Sequence, residues 1–506
     1  MSESPLRRDV LAVLMPGFTG ETMPAWVAEA FEAGMRSVCV YGENVRGAEQ
    51  LRALGAELRA ACPEALIAID EEGGEVTRLH YLEGSPYPGA AVLGRIDDTD
   101  YTERIGERVG RDVLASGFNL ALGPIADVNS DPRNPVIGTR SFGADPELAA
   151  RHVSSWIEGL QRTGAIACAK HFPGHGDTSQ DSHLALPTVD AAQETLERRE
   201  LPPFRAAIGA GVGAIMTSHI LLPRIDPSGP ATFSRIVLQG MLRDELEFEG
   251  VIVSDALDMR GASGGIGIPE AAVRALIAGC DLLCLGTGGS PAQLDEIDAA
   301  VRAAIENGRL GEDRLAEAAS RVRALCETAA GRTHTAPPTP GEVSVSPDPS
   351  AELDRVASAF DGLEDARVWL AAHPAAAVIR VDAEANMAVG HAPWGPFAAG
   401  LEASREAPGA DAEAWRLHYP HGAIVIGREL HRLPFAVDGL ETLRASGAHV
   451  LVVEMGWPEE RPPMQTGAPA SRPDPRPVHD FVELRCYGSS RLVGAALLRL
   501  IEGDPA

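Results

Sequence analysis

Lys170-His171-Phe172-Pro173-Gly174-His175-Gly176-Asp177, followed four residues on by Asp181-Ser182-His183, concentrates the only lysine of the chain and three of its fourteen histidines in one short stretch. A carboxylate two residues from an imidazole can bond one ring nitrogen, fix the tautomer and leave the other nitrogen to exchange a proton with a substrate. Asp181 and His183 are therefore a candidate acid/base pair, although an Asp-x-His match arises often by chance. The lysine carries a separate signal. Against 43 arginines, a single Lys170 marks a place where a compact ammonium is wanted and a planar guanidinium does not fit. The bland alternative is one surviving surface lysine, but the apolar run Ala165 to Ala169 before it and the Gly- and His-rich loop after it are a poor setting for a surface side chain.

Other carboxylates accompany them. Asp255 closes the run Val251 to Asp255, and it reads either as a helix N-cap or as a carboxylate nucleophile that attacks an anomeric carbon. Asp258 is the weaker candidate, because it falls at the start of the following helix. Asp70, Glu71 and Glu72 precede two glycines that permit close backbone approach to a ligand, with Arg78 just beyond. Asp127 and Arg140 share a loop rich in Asn, Asp and Pro, where an Asp beside Arg donors could fork onto vicinal hydroxyls. A rival reading takes His171, His175, His183, Asp177 and Asp181 as metal ligands. It is weakened because Pro173 and Gly174 keep His171 and His175 off one helical face, and no other strand end supplies a histidine pair.

These residues need a scaffold that brings them together. From residue 10 to about 290, short β-branched runs alternate with stretches of helical period, the pattern of a parallel sheet with crossover helices. Eight runs qualify: Val10 to Met15, Ser37 to Tyr41, Leu66 to Asp70, Asn119 to Asp127, Ala165 to Lys170, Ala214 to His219, Val251 to Asp255 and Asp281 to Leu285. Eight repeats in under 340 residues predict an α/β fold of the (β/α)8 TIM-barrel type. Asp70, Asp127, Lys170, His219 and Asp255 all end such runs, and in a barrel those ends converge on one mouth. After a helix ending near Cys326, residues 331–350 are rich in Pro, Thr and Ser and read as a linker. The predicted division is a catalytic barrel over 1–330, a linker over 331–350 and a smaller C-terminal α/β domain of unknown role over 351–506. In that domain strands are predicted at Val368 to Ala371, Ala376 to Val381, Ala423 to Gly427, His449 to Glu454 and Phe481 to Cys486, with a Pro-rich loop from Pro458 to Pro477 and a helix from Ser490 to Ile501.

A net charge of −28 disfavours nucleic acid and anionic membranes as partners and favours a small or neutral substrate. No run approaches the ~18 apolar residues of a membrane-spanning helix. The apolar stretch near the start is short, ends in Pro-Gly and lacks a cleavage site, so it reads as a strand rather than a leader. Seven cysteines without CxxC or zinc spacing suggest buried thiols in a reducing compartment, hence the cytoplasm.

Together these segments resemble glycoside hydrolase family 3, specifically its β-N-acetylglucosaminidase branch. KHFPGHG, four residues, then DSH is similar to that branch's signature, and further blocks agree: DEEGG with Arg78, NPVIGTRSFG, MTSHI and VSDALDM. The resemblance covers residues 10 to about 330. It implies that Asp255 is the nucleophile, that His183 is the general acid/base oriented by Asp181, and that Asp70, Arg78, Arg140, Lys170 and His171 contact the sugar. The reading adopted here calls for no cofactor and no metal.

The resulting expectation is a cytoplasmic retaining exo-β-N-acetylglucosaminidase acting on small glycans such as peptidoglycan turnover fragments. An imidazole acid beside an anionic nucleophile avoids the like-charge repulsion of a second carboxylate. Four rivals stay open: a phosphorylase using the same dyad, since a neutral base does not repel phosphate; cleavage of β-glucosides as well; a metal-dependent hydrolase; and a non-catalytic sugar-binding barrel. Oligomeric state, with a homodimer among the options, does not follow from the sequence.

Overall fold

The computed structural model describes residues 4–178, 186–332, 348–383, 388–458 and 481–503. Each of the eight predicted runs contains a strand: β1 (Leu14–Met15), β2 (Ser37–Val40), β3 (Leu66–Ile69), β4 (Leu120–Ala121), β5 (Ile166–Phe172), β6 (Ala214–Thr217), β7 (Val251–Val253) and β8 (Leu283–Cys284). Strands β2 to β7 pair in sequence order and all in parallel. A parallel bridge between Val253 and Leu282 carries the sheet to β8, β8 pairs with β1, and Cys39 N donates to the Pro16 carbonyl at 2.9 Å to join β1 to β2. The ring is thereby closed, as in a (β/α)8 barrel.

Strand alternation divides the apolar residues into two sets. Leu66 and Ala68, Ile166 and Cys168, and Val251 and Val253 belong to the core inside the barrel, whereas Ile67, Ile69, Ala167 and Ile252 pack outward against the helical layer. Continuing the inward parity by two residues on β3, β5 and β7 gives Asp70, Lys170 and Asp255. Their position on one mouth follows from a period of two.

Several boundaries differ from expectation, and β5 runs past Lys170 to Phe172. Val10 to Ala12 lie in a helix, Pro5–Ala12, because Ser4 caps its first turn and Pro5 occupies the first helical position; only Leu14 and Met15 enter the sheet. In the run Asn119 to Asp127 only two residues form strand. The helix expected to end near Cys326 continues to Arg332, and the next helix starts at Pro349, so both reach into the expected linker, whose residues 333–347 lie outside the described part.

The C-terminal domain is a parallel five-stranded sheet of β9 (Ala377–Val381), β10 (Arg405–Glu406), β11 (Ala423–Gly427), β12 (Val450–Glu454) and β13 (Phe481–Arg485), in the order β10-β9-β11-β12-β13. Val368 to Ala371, expected as a strand, belongs to the helix Leu363–Ala372: Trp369 is fully buried while Val368 is 57% exposed, a one-sided burial that suits a helix on a sheet. The final helix, Arg491–Glu502, is as expected. The loop from Pro458 to Pro477 is outside the described residues after Pro458. Ala91 and Val92 of the barrel join the core of this domain, so the two units share apolar packing.

Candidate active site

The barrel mouth opens into a cavity of about 510 Å3, and Asp70, Arg78, Arg140, Lys170, His171 and Asp255 all line it. Six of the eight sequence candidates are therefore brought together. The other two, Asp181 and His183, lie outside the described residues. The chain is described on both sides of them, up to Thr178, whose Oγ1 is 3.0 Å from His175 Nδ1, and again before Pro187, whose carbonyl accepts from Leu221 N at 2.8 Å.

Lys170 lies two residues before the end of β5, with Nζ 2.9 Å from Asp70 Oδ1 and 2.8 Å from Glu72 Oε1. Only 3% of the residue is exposed, so it is no surface lysine. Burial alone pushes its pKa down, but Asp70 and Glu72 outweigh that and raise it, keeping the ammonium charged. Burial pushes Asp70 up; Lys170 and Arg78 reverse this and hold the carboxylate ionised. Glu72 has the same balance, with burial opposed by Arg140 and Lys170, and falls to about 2.

Arg140 does not pair with Asp127 as expected. Its Nε and Nη2 fork onto Glu72 at 2.9 and 2.8 Å, and Nη1 donates to the Val136 carbonyl at 3.0 Å. Asp127 instead is buried behind the histidines: it accepts from His171 Nδ1 at 2.8 Å and from the His175 backbone N–H at 2.7 Å. Burial raises its pKa, but His171 and His175 more than offset this. The carboxylate therefore fixes His171 with its proton on Nδ1, which leaves Nε2 as the other ring position. Burial and the neighbouring His171 lower His175 to about 4, so it is neutral at physiological pH.

Asp255 follows β7, with Oδ1 accepting from Ala256 N at 2.8 Å and its own N–H donating to Thr217 Oγ1 at 3.3 Å. His219, noted only as a polar strand end, supports this turn: it bonds Thr232 Oγ1 through Nδ1 and the Ala256 carbonyl through Nε2, at 2.9 and 3.0 Å. Asp258 accepts from Thr287 N at 3.3 Å across the mouth, as a strut between two loops. Arg78 lies 3.8 Å from Asp70 and donates to the carbonyls of Ala388 and Val389 at 2.6 and 3.3 Å, which belong to the C-terminal domain. Ala388 lines the cavity too, so that domain contributes to its wall.

The proposed metal ligands do not converge among the described residues. Asp177 is engaged by Arg199 at 2.5 Å, and no group of three His, Cys, Asp or Glu side chains there could hold an ion. Glu72 lines the cavity too, and sequence reasoning named it without giving it a role. The signal was available: Asp70 and Glu72 are two apart at a strand end and so share a face, whereas Glu71 points away.

Residues 21–325 match the family described as Glycosyl hydrolase family 3 N terminal domain. The chain belongs to glycosyl hydrolase family 3. This hydrolase is 41% identical over 254 residues to a beta-hexosaminidase of Chromobacterium violaceum, covering 49% of this chain and 70% of that one. Among solved structures it is similar to a glycoside hydrolase family 3 beta-N-acetylglucosaminidase from Paenibacillus sp. strain FPU-7, with a TM-score of 0.80 and 28% identity over 99% of this chain and 97% of the other. It is also similar to NagZ from Neisseria gonorrhoeae in complex with N-trifluoroacetyl-D-glucosamine, with a TM-score of 0.52 and 32% identity over 63% of this chain and 97% of the other. Among the described residues of the hydrolase no helix is long and apolar enough to cross a membrane.

Proposed function

We propose that this glycoside hydrolase is a retaining exo-β-N-acetylglucosaminidase that removes terminal GlcNAc from small glycans, with peptidoglycan turnover fragments as a natural source. The observation that carries the reading is the inward convergence of Asp70, Lys170 and Asp255 on one cavity of about 510 Å3, a size suited to a sugar residue and part of its neighbour. The relatives named beta-hexosaminidase and beta-N-acetylglucosaminidase support the choice of sugar.

In the proposed reaction an Asp255 carboxylate oxygen bonds to the anomeric carbon as the glycosidic C–O bond breaks, and His183 gives its proton to the departing oxygen. Asp181 orients His183. Water then loses a proton to His183 and attacks the anomeric carbon, freeing Asp255. Lys170 and Asp70 provide a donor and an acceptor for sugar hydroxyls, while Arg78, Arg140 and His171 shape and charge the same wall. All of this chemistry comes from side chains.

The test is release of 4-nitrophenol from 4-nitrophenyl N-acetyl-β-glucosaminide in phosphate-free buffer containing a chelator, repeated with phosphate and with the β-glucoside. Turnover without phosphate or metal is expected. Turnover that needs phosphate and yields a sugar 1-phosphate selects a phosphorylase, and turnover that needs added metal returns the metal-dependent reading.

A further inference from the structure

A second, smaller depression of about 70 Å3 adjoins the catalytic cavity and shares Val136 and Arg140 with it. Its far wall is C-terminal: Val389, Arg428, Glu429 and Gly456 line it. The domains are fastened together around it. Arg432 donates to the carbonyls of Pro132 and Asn134 at 2.7 and 3.1 Å, and Ser489 N donates to Glu75 at 2.9 Å.

The charged groups in this depression are not equivalent. Glu75 accepts from Thr139 Oγ1 at 3.0 Å as well as from Ser489, and Glu429 accepts from Arg432 at 2.9 Å. Both carboxylates are committed to protein donors. Arg428 lies with its guanidinium 4.9 Å from the centre of the Trp394 ring. That ring is fixed in turn by Nε1 donating to Asp382 at 3.1 Å, and Asp382 pairs with Arg380. Stacking occupies the face of a guanidinium and leaves its edge donors free to bond. No described carboxylate lies within ion-pair distance of Arg428, and no described group accepts a hydrogen bond from its guanidinium. In a chain of charge −28, where most arginines near the site pair with an acid, this is a half-buried cation with no described counter-ion, in the depression that adjoins the catalytic cavity.

We infer that the C-terminal domain forms the leaving-group subsite and that Arg428 recognises a carboxylate on the leaving sugar. The inference rests on the glycosidase reading above and deepens it: Asp255 and its neighbours hold the sugar that is cleaved off, and Arg428 selects what it is cleaved from. A planar carboxylate matches the paired edge donors of a guanidinium held against an aromatic ring.

The experiment compares three disaccharides of GlcNAc β-1,4-linked to glucose, to glucuronate, and to glucose bearing a carboxymethyl ether on O3. The two acids place the charge on either side of the linkage oxygen. For the wild-type chain at least one acid should exceed the neutral disaccharide in kcat/KM by about tenfold to a hundredfold. In Arg428→Gln that ratio should fall to about one; Arg428→Lys should retain part of it, and Arg260→Gln, which changes an exposed cation lining the main cavity but not the depression, should retain it in full. A wild-type ratio near one for both acids overturns the inference, as does a preference that survives in Arg428→Gln or disappears in Arg260→Gln. The 4-nitrophenyl N-acetyl-β-glucosaminide assay separates the two levels. Without turnover there the glycosidase reading itself fails, whereas turnover without acid preference removes only the subsite.

Discussion

Arg140 and Lys170 meet on the same carboxylate, Glu72, whose Oε1 takes Arg140 Nη2 and Lys170 Nζ, both at 2.8 Å. Glu72 is the shared counter-ion of two buried cations that face the cavity. Glu72→Gln keeps the shape and removes the charge, leaving those cations to compete for Asp70. Loss of a partner from a buried ion pair costs about 3–5 kcal/mol, and a displaced Lys170 should lower kcat/KM by at least about a hundredfold. Thermal unfolding and steady-state kinetics of the variant check both. With a folded pKa of about 2 against a usual 4.5, the stability contributed by Glu72 is complete above pH 4.5 and disappears as pH falls towards 2.

Glu71 should act in the opposite sense. Its Oε2 accepts from Thr77 Oγ1, Arg78 N and Leu79 N, while Oε1 is buried without a hydrogen bond among the described residues. Burial raises the carboxyl from 4.5 to about 7. Its contribution is therefore fully present below pH 4.5 and lost as pH climbs through 7. Glu200, also raised by burial to about 7, adds a similar slope. Melting temperatures of Glu71→Gln measured from pH 4 to 8 should fall less steeply than those of the wild type; parallel curves would contradict a neutral Glu71.

The stretch leading to the Asp181–His183 pair depends on a close backbone approach at Gly176. A Cβ there would sit 1.6 Å from the Val128 carbonyl oxygen, next to Asn134, whose side chain holds the His175 and Gly176 carbonyls at 2.8 and 3.1 Å. Gly176→Ala should cost about 1–3 kcal/mol of stability by overpacking and reduce kcat together with it. A variant with wild-type melting and turnover would show that the shelf yields easily.

Asp255→Asn should lower turnover of every substrate by at least about a thousandfold, with binding of GlcNAc retained. His183→Ala should slow substrates with sugar leaving groups by about 100-fold or more while affecting a nitrophenol leaving group far less, because nitrophenolate departs without a proton. Equal losses on both classes would argue against an acid role for His183.

Sequence reasoning located all eight barrel strands because apolar β-branched runs alternate with amphipathic stretches, and that alternation is local. It failed where one apolar run serves two elements: Val10 to Met15 is continuous in hydrophobicity, but Ser4 and Pro5 start a helix that occupies its first half. It failed again at Val368 to Ala371, where a four-residue apolar run is too short to separate a period of 2 from one of 3.6. At the site, Asp70, Lys170 and Asp255 could be read from their strand ends. The partner of Arg140 could not, because Glu72 and Asp127 come from different loops and only the three-dimensional path decides between them. The contribution of Ala388 and Arg428 was invisible for the same reason: they are hundreds of residues from the barrel segments they adjoin and carry no motif of their own.

The burial of Lys170 has a practical corollary for chemical biology. With its sole ε-amine enclosed at 3% exposure between Asp70 and Glu72, the folded chain offers lysine-directed acylating reagents and cross-linkers no accessible side-chain target. Acylation at that position would instead time the opening of the barrel, giving the protein a built-in label for the moment its active site comes apart.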